Sequence, residues 1–152
     1  MVNSRKLEDL DPEARQVCIQ HLLKAKDRGI ELLVTSTWRD FEAQDALYQI
    51  GRTHYQERHI VTNARAGGSW HNYKVAWDVC PIVQGKPVWD ANDPIWKEVI
   101  RCGKEVGAEA GADWPNFPDR PHFQIRPPNG DGSISIVEAR ARFDEHGTVF
   151  TI

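Results

Sequence analysis

Apolar residues recur at helical spacing in the first third of the chain and predict two helices. The first begins at Asp11, a capping residue, and Pro12, which suits the first helical turn, and it ends at Gly29. The second begins after Asp40 and stops at Gly51. The apolar side of the first helix has these members: Ala14, Val17, Cys18, His21, Leu22 and Ala25.

Two later helices and three short strands complete the pattern. The helices are predicted at residues 93–106 and 134–146, where apolar positions again follow a helical period. Runs of apolar and β-branched residues predict strands at 30–35, 75–83 and 122–125. Helices beside a few short strands indicate an α+β fold, in which a small antiparallel sheet is flanked by helices.

The length and composition favour one folded domain. The chain has 152 residues, of which 40% are hydrophobic and 27% charged, as is typical of a globular protein. We expect a single domain over residues 1–152, with a core at roughly 11–126 and a C-terminal extension at 127–152. There is no apolar run of about 18 residues, so no membrane insertion is expected. We also expect a monomer.

The net charge bears on the kind of partner, and the cysteine spacing bears on structural zinc sites and disulfides. A net charge of -3 disfavours nucleic acid as a partner, because phosphate binding needs a basic surface. Cys18, Cys80 and Cys102 lack the paired spacing of a zinc knuckle or a disulfide framework. They are therefore predicted to be free, buried thiols.

Two histidines and two aspartates form the candidate chemical site. A catalytic zinc takes three protein ligands and leaves one position open, and His71, Asp78 and His122 could supply such a set. Asp119 precedes His122 by three residues and could act beside the metal as a general base. Each spacing alone is common by chance, and the alternatives are hydrogen-bonded histidines and an ion pair between Asp119 and Arg120.

The separation of His71 from Asp78 constrains the local structure. On a regular strand, residues seven positions apart face opposite sides of the sheet. A shared metal therefore requires His71 to lie in the loop before the strand, where Gly67 and Gly68 supply a flexible approach.

The context of these residues resembles the zinc peptidase family of D-Ala-D-Ala carboxypeptidases and L-alanoyl-D-glutamate endopeptidases, which includes phage endolysins. That family carries the motif Ser-x-His-x-x-Gly-x-Ala-x-Asp, and the chain matches it at Ser69, His71, Ala76 and Asp78. Lys74 stands where the family has glycine. If this position needs a positive φ, lysine would strain it by about 1 kcal/mol.

Two further segments carry the resemblance, which spans residues 30–125. The family has an acidic residue three positions before a second histidine, and Asp119 with the run His122-Phe123-Gln124 resembles that element. The segment 35–39, followed by Gln44, resembles a family segment whose arginine lies near the substrate.

The resemblance implies a role for each matched residue. It makes His71, Asp78 and His122 the ligands of a Zn²⁺ cofactor, and Asp119 the general base that later protonates the leaving amine. Arg39 would hold the oxyanion or a substrate carboxylate, in keeping with a guanidinium that is always charged.

Three residues are assigned to substrate binding: Ser69, Gln44 and Trp114. The stretch 107–114 departs from the family, because Ala110 and Ala112 replace larger or more flexible residues there. This departure affects the substrate groove rather than the proposed metal ligands.

The resemblance also implies an activity. An aspartate as base, Asp119, favours a peptidoglycan endopeptidase that cleaves the L-Ala-D-Glu bond of the stem peptide, and a single catalytic domain is typical of lysins. The first residues lack the apolar segment of a secretory signal. We therefore expect a phage or prophage endolysin that is made in the host cytoplasm and acts on the cell wall after release, causing bacteriolysis.

Two alternatives stay open. One is a D-Ala-D-Ala carboxypeptidase or dipeptidase that uses the same metal site. The other is a non-catalytic, zinc-bearing module that binds the cell wall, although such a module would have no use for Asp119.

Overall fold

The structure is a computed structural model and describes residues 1–130 and 132–150. Its helices are α1 (Pro12–Asp27), α2 (Phe41–Gln49), α3 (Ile95–Glu105) and α4 (Ile136–His146). Short 3-10 turns occur at Leu7–Asp9, Trp70–Tyr73 and Gly111–Asp113. Within residues 1–130 and 132–150, none of the helices combines the length and the hydropathy that a membrane span needs.

One antiparallel sheet forms the centre of the fold. Its strands are β1 (Glu31–Ser36), β2 (Ala76–Val83), β3 (Lys86–Pro87), β4 (Glu109–Ala110) and β5 (His122–Gln124). The order across the sheet is β1-β2-β5-β4, and β3 pairs with the far end of β2. A separate hairpin joins β6 (Pro128–Asn129) to β7 (Gly132–Ser133). The predicted α+β fold with a small antiparallel sheet and flanking helices is therefore confirmed.

Side-chain caps explain where the helices begin. Asp11 accepts a hydrogen bond from the backbone N–H of Glu13 at the start of α1, and Asp40 accepts one from Ala43 at the start of α2. Helix α4 begins two residues later than predicted, because Ser135 caps it by accepting from the N–H of Glu138. Each cap satisfies an N–H group that has no partner within its helix.

The core joins distant parts of the chain. His21 on α1 is fully buried, and its ring lies between the Trp77 indole N–H, 3.2 Å from Nδ1, and the Val99 carbonyl, 2.9 Å from Nε2. Residues beyond 126 belong to the same core, including Ile134 and Val149. All three cysteines are free and buried, as predicted.

Lys74 adopts the conformation that glycine would favour. It ends the Trp70–Tyr73 turn with a φ of +64°, and its ammonium group lies 4.3 Å from the centroid of the Trp38 ring. The left-handed conformation is unfavourable for a residue with a Cβ atom. The cation–π contact with Trp38 offsets part of that cost.

Comparing two substitutions at Lys74 should isolate this backbone strain. Lys74→Gly and Lys74→Ala both remove the ammonium group from Trp38, but only glycine relieves the left-handed conformation. We expect the glycine variant to have a free energy of unfolding about 1 kcal/mol higher than the alanine variant, measured by urea denaturation. Equal stabilities would contradict the strain.

Candidate active site

Strand pairing brings Asp78 and His122 together. Strands β2 and β5 are antiparallel neighbours, and Asp78 lies directly opposite His122 in their register. Residues that are directly opposite share one face of a sheet. The end of β1 lies beside them, because Ser36 pairs with Asp78 on its other side.

His71 reaches the same place from outside the sheet. It lies in the Trp70–Tyr73 turn before β2, outside the strand, as a metal shared with Asp78 requires. Ser69 accepts a hydrogen bond from the His71 N–H, and the Asn72 side chain accepts from Ser69 N. These bonds hold the turn so that His71 Nε2 lies 3.1 Å from Asp78 Oδ1.

The partners of each imidazole fix which nitrogen faces Asp78. His71 Nδ1 lies 2.7 Å from the Thr37 carbonyl oxygen, which can only accept, so Nδ1 carries the proton. His122 Nε2 donates to the Gln124 side-chain oxygen at 2.7 Å, which leaves Nδ1 facing Asp78 at 3.4 Å. Each histidine thus directs a lone pair at the carboxylate.

The result is a cluster of acceptors that suits a cation. One ligand atom from each of His71, Asp78 and His122 lies within 4.8 Å of the others. Two neutral imidazole nitrogens and a carboxylate oxygen repel each other unless a positive charge lies between them. This donor set fits zinc.

The pKa shifts of Asp78 and His122 also indicate that a positive charge beside Asp78 is favourable. Burial alone would raise the pKa of Asp78, but a positive charge on the adjacent rings of His71 and His122, where no metal supplies one, holds it well below its ordinary value. Burial alone would lower the pKa of His122, yet the Asp78 carboxylate raises it. The negative charge of Asp78 is therefore strongly favoured.

Asp119 faces the groove beside this cluster. It lies in the loop before β5, where its N–H donates to the Gly111 carbonyl and its carbonyl accepts from the His122 N–H. Desolvation by the groove walls and the negative charge of Asp78 raise the pKa of its carboxyl group. A carboxyl with a raised pKa is better matched to proton transfer near neutral pH.

Arg39 also lines the groove, and Gln44 holds it in place. Arg39 Nη1 donates to Gln44 Oε1 at 2.9 Å, and Nη2 donates to Ser36 Oγ at 3.3 Å. Burial lowers the pKa of Arg39, while the charges of Asp78 and Asp119 act to raise it. The guanidinium is thus held in the same groove that the candidate metal ligands line.

The three residues predicted to bind substrate occupy different positions. Ser69 lines the groove and also caps the turn that carries His71. The Trp114 ring lines the groove with its centroid 4.8 Å from that of His122. Gln44 is fully buried, and its amide N–H donates to the Ala64 carbonyl. Gln44 therefore positions the Arg39 guanidinium and, being fully buried, does not itself line the groove.

The groove has a volume of about 730 Å³ and is lined by both polar and apolar side chains. The candidate metal ligands, Asp119 and Arg39 supply the polar lining, whereas Val61 and Phe117 add exposed apolar side chains from two loops. Such a mixture suits a ligand with both charged and alkyl groups.

Sequence reasoning missed the residues behind the site. Glu109 and Arg126 form an ion pair next to Gln124, and Gly111 packs closely against the Asp119 loop. These residues are far apart in the sequence, and only the pairing of β4 with β5 brings Glu109 opposite Gln124.

Comparison with known proteins identifies the family. Residues 62–125 match the peptidase family described as D-alanyl-D-alanine carboxypeptidase. The peptidoglycan L-alanyl-D-glutamate endopeptidase CwlK of Bacillus subtilis is 36% identical over 127 residues, which cover 78% of this chain and 75% of that protein.

Solved structures share the fold at low sequence identity. The Serratia marcescens L-Ala D-Glu endopeptidase ChiX has a TM-score of 0.55 at 18% identity, covering 78% of this chain and 82% of its own. The vancomycin resistance D,D-pentapeptidase VanY, solved in complex with Zn(II), has a TM-score of 0.59 at 13% identity, covering 91% and 80%. The expected family and enzyme class are thus confirmed, and the chain belongs to the metallopeptidase family that includes D-alanyl-D-alanine carboxypeptidases and this Bacillus subtilis endopeptidase.

Proposed function

We propose that the protein is a zinc-dependent endopeptidase that cleaves the L-Ala-D-Glu bond in the stem peptide of peptidoglycan. The observation that carries the proposal is the convergence of His71, Asp78 and His122 beside the carboxylate of Asp119 in one groove. The bond is inferred from CwlK, the relative whose name states that activity.

In the proposed hydrolysis, zinc and Asp119 have different tasks. Zinc held by His71, Asp78 and His122 would supply the positive charge that polarises a peptide carbonyl and acidifies water. The Asp119 carboxylate takes a proton from the attacking water and returns it to the nitrogen of the leaving amine. The same carboxyl group acts first as base and then as acid, so Asp119 returns to its starting protonation state at the end of each cycle.

Arg39 and Trp114 orient the substrate in this proposal. The guanidinium of Arg39 offers hydrogen bonds to the developing oxyanion or to a stem-peptide carboxylate. Gln44 and Ser36 hold that guanidinium, so little entropy is lost when the substrate binds. The Trp114 ring supplies an apolar surface next to His122.

The products of digestion test the activity. Purified peptidoglycan treated with the protein should release peptides with new D-Glu amino ends and leave L-Ala carboxyl ends, identified by mass spectrometry. Release of terminal D-Ala alone would replace the endopeptidase with a carboxypeptidase on the same site. Binding to peptidoglycan without any cleavage would favour a wall-binding module.

A biological role as a phage or prophage endolysin forms part of the proposal. In that role the protein is made in the host cytoplasm and reaches the wall only after the inner membrane is opened. Cells that express the protein should therefore lyse promptly when the membrane is permeabilised, and cells that express Asp119→Asn should not. Equal lysis of both cultures would contradict this role.

Replacing Gly111 should disturb the loop that carries Asp119. A Cβ atom on Gly111 would lie 2.5 Å from the Asp119 carbonyl oxygen and 3.0 Å from the His122 Cβ atom. We expect Gly111→Ala to lower kcat/KM by roughly 100-fold, because a shift of about 1 Å in a catalytic group has that effect.

Gly132 offers a matched control for this substitution. A Cβ atom there would meet nothing within 4 Å, so Gly132→Ala should keep the wild-type rate. Wild-type activity in Gly111→Ala would show that the loop tolerates displacement and that the position of Asp119 is not critical.

A further inference from the structure

We propose that Gln124, Glu109 and Arg126 form a positioning relay behind His122 that sets the zinc affinity of the site. None of the three lines the groove, so none is placed to touch the substrate. The inference rests on the metal site of the proposed function and assigns to these residues the task of orienting one ligand.

The first link joins Gln124 to the ring of His122. The two residues are both buried and lie on one face of β5, since they are separated by a single position. His122 Nε2 donates to Gln124 Oε1 at 2.7 Å. This bond fixes the tautomer and the rotation of the ring, so Nδ1 presents its lone pair towards Asp78.

The second link decides which way the Gln124 amide points. Gln124 Nε2 donates to Glu109 Oε2 at 3.2 Å, and β4 places Glu109 directly opposite Gln124. A carboxylate can only accept, so the amide N–H₂ must face Glu109 and the amide oxygen must face His122. The opposite orientation would set two acceptors against each other at Glu109.

The third link holds the carboxylate of Glu109. Arg126 Nε donates to Glu109 Oε1 at 2.8 Å, and Nη2 donates to Oε2 at 2.9 Å. This two-point pairing fixes the plane of the carboxylate as well as its position. Arg126 is itself held by the Ile134 carbonyl and lies 5.1 Å from the ring centroid of Trp70.

The two proposed histidine ligands are oriented by different kinds of partner. His71 is oriented by a backbone carbonyl, that of Thr37, which no side-chain substitution can remove. His122 is oriented entirely by side chains, of which Gln124 is the first. The zinc affinity of this protein should therefore respond to substitutions at Gln124 and Glu109.

The test measures zinc affinity directly. The dissociation constant of the full chain for zinc is determined by competition with a chromogenic chelator, and the melting temperature of each metal-free variant is recorded. Gln124→Leu removes the acceptor for His122 and should weaken zinc binding by roughly 10- to 100-fold. Glu109→Gln should weaken it in the same direction, because the amide of Gln124 is then free to reverse.

A control and a rescue separate positioning from packing. Glu138 on α4 pairs with Arg142 at 3.1 Å, in an ion pair of the same chemistry outside the relay, so Glu138→Gln should leave zinc affinity unchanged. The double variant Glu109→Gln with Gln124→Glu places a carboxylate against His122 Nε2 and should restore zinc affinity to at least the wild-type value. Loss of packing alone would not produce that rescue.

The outcomes distinguish this inference from the proposed function. Wild-type protein that binds no zinc would overturn both. Wild-type protein that binds zinc, together with unchanged affinity in Gln124→Leu and Glu109→Gln, would overturn the relay alone. If Gln124→Leu fails to fold, the half-buried Glu109 decides the question, since weakened binding supports the relay and wild-type binding overturns it.

Discussion

Replacing Asp119 by Asn should lower kcat/KM on a peptidoglycan stem peptide by roughly 10²- to 10⁴-fold, the usual contribution of a general acid–base group. Asparagine has nearly the same shape but cannot accept the proton of the attacking water. Zinc content should stay at the wild-type level, because Asp119 does not belong to the cluster of ligand atoms. Steady-state kinetics with metal analysis of the same preparation measure both quantities.

A matched aspartate on a nearby turn controls for the change of charge. Asp113 pairs with Lys104 at 2.9 Å and does not line the groove, so Asp113→Asn should keep the wild-type rate. Asp119→Glu should retain part of the activity, since it keeps a carboxylate at an altered distance. A rate for Asp119→Asn close to that of the wild type would refute its role as the base.

Replacing Asp78 by Asn should abolish both zinc binding and activity. Asp78 is the only negative charge among the three proposed ligands and lies within 3.4 Å of both imidazoles. Loss of a residue that hydrogen-bonds to a metal ligand weakens metal binding by up to roughly 100-fold, and we expect the loss of Asp78 itself to weaken zinc binding by more than that. Equilibrium dialysis and peptidase assays measure the two losses.

Thermal stability gives an independent readout for the same variant. Zinc at about 1,000 times its dissociation constant stabilises a protein by about 4 kcal/mol, so zinc should raise the melting temperature of the wild type and a chelator should lower it. Asp78→Asn should show neither shift, whereas the exposed Asp45→Asn on α2 should behave as the wild type. A zinc-dependent shift in Asp78→Asn would place the metal elsewhere.

The parts of the fold that depend on local chemistry were predictable from the sequence. Asp11 and Asp40 begin their helices as caps, because a short acidic side chain satisfies the free N–H groups of a first turn. The need for His71 to leave the strand followed from the alternation of side chains in a strand, and His71 does lie in a turn before β2.

The parts of the fold that depend on contacts between distant segments were not predictable. Strand β4 has only two residues, too few for any hydrophobic pattern, yet it brings Glu109 opposite Gln124. Gln44 was predicted to bind substrate, but the fold buries it fully, and its amide N–H donates to the Ala64 carbonyl of a later loop while its oxygen accepts from Arg39. Both facts arise from contacts between segments that are distant in the chain, which propensity and spacing do not encode.

The position of Asp78 opposite His122 in the sheet has a consequence for handling the protein. A slip of a single residue between β2 and β5 would turn one of the two side chains to the far face and separate the pair. Only protein in which β2 and β5 are paired in the native register should therefore bind zinc. The fraction of refolded protein that binds zinc should equal the fraction with native strand pairing. A colorimetric zinc assay can therefore measure the natively folded fraction of a preparation without any substrate.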